Sequence, residues 1–126
     1  MKRLLLLLLM VCTSAACATM PTPDSSSGIY GRVTIGPMCP VVRIGEACPD
    51  KPYQATLNIV TASGDKVASI LTNTNGNFRI SLTPGDYILR PETPQNKSMP
   101  IAQEQQFRVT AGQFTELLVT YDSGIR

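Results

Sequence analysis

The sequence has 126 residues, with 11 Lys or Arg against 9 Asp or Glu and a formal net charge of +2. This length predicts one domain, and a near-neutral chain without a stripe of Lys and Arg argues against a nucleic-acid partner. Histidine and tryptophan are both absent, which removes the side chain that most often transfers protons near neutral pH.

The first residues have the features of a secretion signal. Lys2 and Arg3 precede an unbroken apolar stretch over residues 4–11, and small residues follow it. A membrane-spanning helix needs about 20 apolar residues, roughly twice the length of this stretch. We therefore expect residues 1–16 to be a signal peptide.

Cys17 directly follows the small residues Ala15 and Ala16. This arrangement resembles the lipobox of bacterial lipoproteins, in which the cysteine is lipidated, although Ser14 stands where leucine is usual. The resemblance implies a lipid anchor at Cys17 and a position on the extracytoplasmic side of the cell envelope. The alternative is ordinary signal cleavage near Ala16 or Ala18, which would release a soluble secreted protein.

Residues 17–27 are rich in Thr, Pro, Asp and Ser. Such a segment buries too little apolar surface to offset the entropy of ordering it. We therefore predict a flexible, lipid-anchored tether over residues 17–27, followed by one folded domain over residues 28–126.

Lipidation of Cys17 would leave Cys39 and Cys48 as the two thiols of the exported domain. In an oxidising compartment this pair predicts a disulfide. A metal site is a weak alternative, because the spacing is too long for a Cys-x-x-Cys knuckle and the chain has no histidine. We predict no bound metal and no cofactor.

The two cysteines lie in a long irregular connection over residues 36–52, which the disulfide would organise. A stapled loop is preorganised for binding, so this segment is our candidate interaction loop. Its candidate contact residues are Pro37, Met38, Pro40 and Pro49. The alternative is that the loop only covers one end of the fold. A second irregular stretch, residues 91–100, is polar and rich in proline, and we expect it to cross between sheets or to cover an end of the fold.

From Ile29 onward the apolar residues recur with a period of two, and turn residues recur about every ten positions, which predicts strands throughout. Asn75-Gly76 is the strongest turn signal and predicts a tight type I′ hairpin. Seven short strands predict an all-β, antiparallel Greek-key sandwich. The predicted inward residues are Ile29, Gly31, Val33, Ile35, Tyr53, Ala55, Leu57, Ile59, Phe78, Ile80, Leu82, Tyr87, Leu89, Phe107, Val109, Leu117, Val119 and Tyr121.

Residues 72–80 (TNTNGNFRI) and 82–89 (LTPGDYIL) place a glycine turn, Phe78, a strand, Pro84-Gly85 and then Tyr87 in succession. This order resembles the carboxypeptidase regulatory-like domains of the transthyretin-like, or prealbumin-like, group of β-sandwiches. The resemblance covers roughly residues 28–121 and implies a non-catalytic accessory module. The cysteine-containing insert departs from many members of that family.

Catalysis is not expected, because related hydrolases and dioxygenases depend on histidine. Some pilin-like relatives carry an internal Lys to Asn isopeptide bond, but Arg32 stands on the first strand here. We expect Lys51, Lys66 and Lys97 to be solvated instead. The sequence therefore predicts a structural or protein-interaction module that meets the membrane through its lipid and an envelope protein or polymer through its loops. The alternative is a module that binds carbohydrate or another small ligand, for which Tyr30 is an outward aromatic residue.

Overall fold

The computed structural model describes residues 26–126. The predicted signal peptide, Cys17 and most of the predicted tether lie outside the described residues. Within the described part of the chain, no helix has the length and apolarity needed to cross a membrane. Ser27, the last residue of the predicted tether, is buried, and its Oγ donates a hydrogen bond to the Leu82 carbonyl at 2.8 Å.

The described residues form two four-stranded sheets and confirm the predicted all-β sandwich. The strands are β1 (Gly28–Gly36), β2 (Lys51–Pro52), β3 (Thr56–Thr61), β4 (Lys66–Leu71), β5 (Asn77–Ser81), β6 (Gly85–Pro91), β7 (Gln105–Val109) and β8 (Phe114–Asp122). The strand that the sequence did not predict is β2, whose two residues are too short to show alternation.

The first sheet, sheet A, is built around β1. Strand β8 pairs with one edge of β1 over its whole length, from Gly28 opposite Phe114 to Gly36 opposite Asp122. Strands β5 and β2 share the other edge of β1. The second sheet, sheet B, has the order β4-β3-β6-β7 and is antiparallel throughout.

The β1–β8 pair is parallel, which departs from the antiparallel pairing predicted for every strand. Parallel neighbours need a long crossover connection between them. Here the whole of the domain between β1 and β8 provides that connection, because the chain visits sheet B and returns before β8 begins. Local sequence patterns carry no signal for such a pairing.

The core lies between the sheets and confirms the predicted alternation. Ile29 and Val33 on β1 are fully buried, while Tyr30 and Arg32 between them are exposed. The other buried apolar residues are Ala55, Leu57, Ile59, Val60, Phe78, Leu82, Tyr87, Leu89, Phe107, Val109, Val119 and Tyr121. In the described part of the chain, no buried side-chain polar atom lacks a hydrogen-bond partner, so the core is satisfied as well as apolar.

The turn at Asn75-Gly76 is not the predicted hairpin. Strands β4 and β5 belong to different sheets, and only Gly76 of the dipeptide has a positive φ, at 77°. The Gly76 amide donates to the Asn73 carbonyl at 2.9 Å, and Asn73 Oδ1 accepts from the amides of Asn75 and Asn77. The Asn73 side chain thus stabilises a turn that carries the chain from sheet B to sheet A.

Gly76 has a second role, because its backbone packs against β1. A Cβ added to Gly76 would lie 2.1 Å from the Val33 carbonyl oxygen, and the Val33 amide donates to the Gly76 carbonyl at 2.7 Å. Gly112 has a similar φ of 73°, but a Cβ added there would have nothing within 4 Å. Substitutions at the two glycines therefore distinguish the energetic cost of backbone strain from that of steric overlap.

We predict that Gly112→Ala costs about 1 kcal/mol of unfolding free energy, from the left-handed conformation alone. Gly76→Ala should cost a further 1–3 kcal/mol, roughly, because β1 and the turn must move apart. Urea unfolding of both variants measures the difference. Equal losses in the two variants would contradict the close approach of the turn to β1.

Candidate functional site

The connection between β1 and β2, residues 37–50, forms a loop that we call the disulfide loop. Cys39 and Cys48 are bonded, with their Cα atoms 6.2 Å apart, which confirms the predicted disulfide. Below the bond, β1 and β2 pair in antiparallel register, with Thr34 opposite Pro52 and Ile35 opposite Lys51. The loop is therefore held by strand pairing at its base and by the disulfide bond.

Closing about ten residues with a disulfide removes chain entropy from the unfolded state, roughly 2.5 kcal/mol on the loop-closure model. The same bond restricts the eight residues between the cysteines, which form no regular strand. The disulfide therefore preorganises a stretch of chain that has no strand pairing to hold it.

The predicted contact residues lie near the two ends of this loop, close in sequence to Cys39 and Cys48. Pro37, Pro40 and Pro49 are exposed, and Met38 is half-buried. The Pro37 carbonyl accepts a hydrogen bond from the Ser123 hydroxyl, and the Ser123 amide donates to the Gly36 carbonyl at 2.9 Å. The structure thus joins one predicted contact residue, Pro37, to the C-terminal residues after β8.

The disulfide loop exposes three apolar residues close together in sequence, Val41, Val42 and Ile44, which we call the apex. Their exposed fractions are 74%, 64% and 107%. A turn presents them, since the Glu46 amide donates to the Arg43 carbonyl at 3.0 Å and Gly45 has a φ of 86°. Sequence reasoning did not single out these residues. The available signal was a run of branched apolar residues between two bonded cysteines, without the alternation of a strand.

The apex lies at the opposite end of the sandwich from the start of the domain. Because β1 and β8 are parallel, Gly36 and Asp122 lie together at one end, which we call the loop end. Gly28 lies at the other end, where its amide donates to the Gln113 carbonyl at 3.2 Å. The nine residues of β1 separate the two ends, a distance of about 30 Å at the usual strand rise.

The segment between β6 and β7, residues 92–104, covers part of the loop end. The Tyr121 hydroxyl donates to the Glu92 carbonyl at 2.8 Å, and Ile101 forms a β-bridge with Asp122. Of the two roles expected for the second irregular stretch, the structure confirms the cover, since β6 and β7 belong to the same sheet.

Two charged groups at this end form an ion pair. Asp122 pairs with Arg126 at 2.8 Å, and this hydrogen-bonded guanidinium, together with the Gly124 amide, lowers the pKa of Asp122 to about 2. Among residues 26–126, no group of three or more His, Cys, Asp or Glu could hold a metal ion.

The lysines named in the isopeptide hypothesis, Lys51, Lys66 and Lys97, are exposed. The facing inward residues on β1 and β8 are apolar, since Ile29, Val33 and Val119 are buried there. An isopeptide bond needs a buried lysine beside an amide or carboxyl side chain, and neither lies between these two strands in the described residues.

The outer face of sheet A carries two aromatic residues, Tyr30 and Phe114. Tyr30 is 38% exposed, and its hydroxyl donates to Glu116 Oε2 at 3.2 Å. That hydrogen bond to Glu116 raises the pKa of Tyr30. The guanidinium of Arg79 lies over the Phe114 ring, 3.6 Å from its centroid. Because Arg79 occupies that ring, the face does not present the pair of free aromatic rings that stacking on a neutral sugar favours.

Fold and site together define an all-β sandwich with a disulfide-closed apical loop. No family model matches the sequence, and no curated protein matches it. Among solved structures, the chain is similar to the Bacillus anthracis TIE protein, with a TM-score of 0.53 and 17% sequence identity. The similarity covers 77% of this chain and 17% of that chain, so the chain spans a small part of that protein. At this identity the likeness supports the fold alone.

We predict that Tyr121 ionises well above the usual pH range of a tyrosine. Burial raises its pKa to about 12, with smaller contributions from Tyr53 and Glu92. A raised pKa means that the stability from the neutral phenol is fully present below pH 10 and is lost as the pH rises from 10 towards 12. The difference in ultraviolet titration between the wild type and Tyr121→Phe should show a step near pH 12. A step near pH 10 in protein that is still folded would contradict the burial of this hydroxyl.

Proposed function

We propose that this protein is a non-catalytic lipoprotein of the bacterial cell envelope, whose β-sandwich presents the disulfide loop to a partner protein. Residues 1–16 direct export, Cys17 carries the lipid, and residues 17–27 link the anchor to the domain. The sandwich is of the carboxypeptidase regulatory-like type. The motif over residues 72–89 supports that assignment, as does the all-β fold.

The observation that carries the interaction role is the apex. Val41, Val42 and Ile44 are side chains that a monomeric domain has no reason to expose together at the tip of a constrained loop. Burying one such side chain gains roughly 1.5–3 kcal/mol, so three of them form a small hot spot. The disulfide lowers the entropic cost of binding, because the loop is already held in one conformation.

The geometry favours a partner that lies on the side of the domain facing away from the lipid anchor. The described chain starts beside Leu82 and Gln113, at the end of the sandwich opposite the apex. A lipid at Cys17 would therefore hold that end towards its membrane and direct the apex away from it. An apolar tip held away from lipid favours a protein pocket as its binding site.

Catalysis has little support as an alternative, since the chain has no histidine and the described acidic residues form no cluster that could hold a metal ion. Binding of a neutral sugar on sheet A is also weakly supported, because Arg79 occupies the ring of Phe114.

The apex can be tested with a photo-crosslinking amino acid at Arg43, between the apex residues, in cells that produce the full chain. We expect a covalent adduct with one envelope protein, and we expect Val41→Ser, Val42→Ser and Ile44→Ser together to abolish it. The change should leave stability nearly unaltered, because these side chains are exposed. The Cys39→Ser, Cys48→Ser double variant should weaken the adduct while keeping the apolar residues.

The matched control places the same crosslinker at Ala62, at the opposite end, and tests Val67→Ser, an exposed apolar residue on β4. Neither should give or remove the adduct. An adduct with a second copy of this chain would identify the apex as a dimer contact instead. Equal labelling from both positions would overturn the proposed site.

Lipidation gives a separate test. We predict that Cys17→Ser shifts the protein from the membrane fraction to the soluble exported fraction, and that mass spectrometry finds acyl groups on Cys17 of the wild type. A wild-type protein cleaved without acylation would show that the module is secreted, whatever the apex binds.

A further inference from the structure

The Arg79–Phe114 contact spans three strands of sheet A. Arg79 on β5 lies opposite Tyr30 on β1, whereas Phe114 on β8 lies opposite Gly28. The Arg79 side chain therefore crosses β1 diagonally to reach Phe114. The guanidinium then lies 3.6 Å from the Phe114 centroid and 6.0 Å from the Tyr30 centroid.

A cation over an aromatic face is held by electrostatic attraction to the ring. Stacking occupies the flat face of the guanidinium but leaves the N–H groups at its edge free to donate. The Arg79 side chain makes no hydrogen bond or ion pair with residues 26–126. Arg79 is thus an oriented donor without an acceptor in this part of the chain.

Three other arginines in the described chain have carboxylate partners. Arg90 pairs with Glu104, Arg108 with Asp86 and Arg126 with Asp122, each at 2.8 Å. Arg32 and Arg43 have none among the described residues. Arg43 lies in the disulfide loop, whereas Arg32 lies on the same outward face as Arg79, at a diagonal register position across β1 and β5. The outer face of sheet A therefore carries two arginines that have no carboxylate partner within residues 26–126.

The surroundings of this pair determine which ligand it suits. Glu116 on β8 accepts a hydrogen bond from the Tyr30 hydroxyl at 3.2 Å and forms no ion pair with Arg79 or Arg32 in the described residues. Thr34 and Thr120 face each other at 3.5 Å further along the same face. Tyr30, 38% exposed, adds a ring beside the two cations. The face thus combines anion donors, hydroxyl groups and one aromatic edge.

We propose that the outer face of sheet A binds an anionic polysaccharide, with Arg79 and Arg32 contacting its carboxylate or phosphate groups. Guanidinium groups recognise both anions through paired hydrogen bonds. Each exposed contact is weak, so repeated anionic groups on a polymer strengthen binding through multivalency. A flat sheet face suits an extended chain. This site is separate from the apex and does not depend on it.

The test is affinity electrophoresis of the full-length protein in detergent through gels that contain polygalacturonate, poly(glycerol phosphate) or neutral dextran. We expect retardation by at least one anionic polymer and none by dextran. Polygalacturonate alone would identify a carboxylate ligand, and poly(glycerol phosphate) alone a phosphate ligand. Rising salt should weaken the retardation, because exposed charges are screened.

Arg79→Gln should lower the association constant about two- to fivefold, the scale of one exposed charge contact. Phe114→Leu keeps the charge but removes the ring, so it should reduce binding partly, and Arg79→Lys should not restore it fully. Arg108→Gln on sheet B is the matched control and should bind as the wild type does. Circular dichroism verifies that each variant is folded. Equal loss in Arg108→Gln, retardation by dextran, or no retardation by either anionic polymer would overturn the proposal.

Discussion

The close pairing of β1 with β8 is the constraint on which the rest of the domain depends. A Cβ on Gly31 would lie 1.7 Å from the Leu117 carbonyl oxygen and 2.9 Å from the Phe78 ring. Gly31 therefore lets the backbone of β8 and the ring of Phe78 approach β1 together. Since β1 also carries the fully buried Ile29 and Val33, the same strand joins sheet A and anchors the core.

The parallel direction of that pair gives the domain its polarity. Both strands run from the N-terminal end to the loop end, so the chain leaves β1 and β8 at the same place. The disulfide loop and the residues after β8 can then hydrogen-bond, as Ser123 does with Gly36. An antiparallel last strand would have placed the C-terminal residues at the other end and left the base of the loop without this support.

The sequence predicted the local structure well because burial imposes a period of two on each strand. Every fully buried apolar residue on β1, β3, β6 and β8 was predicted from that alternation. The disulfide was also predictable, from cysteine counting alone.

The long-range features of the fold were not predictable from local signals. The Asn75-Gly76 dipeptide favours a turn both in a hairpin and in a crossing between sheets. Here the Asn73 side chain stabilises the turn of the crossing, by accepting hydrogen bonds from the backbone amides of Asn75 and Asn77. The Arg79–Phe114 contact joins strands on opposite edges of β1, which only the folded sheet reveals. The apex was missed because its apolar residues follow no strand or helix period.

The two proposed surfaces differ in their physics. The apex would bind through burial of apolar side chains, which salt hardly weakens, whereas the Arg79 face would bind through exposed charges, which salt screens. One lies at the tip of the sandwich and the other on its side, so a partner on one leaves the other open. A domain anchored at its N-terminal end would stand with the side face beside any polymer layer it crosses and with the apex beyond it. In that arrangement the weak, multivalent contact with the polymer would limit the tilt of the domain, and the apex would meet its partner at a height set by the tether and by the roughly 30 Å length of β1.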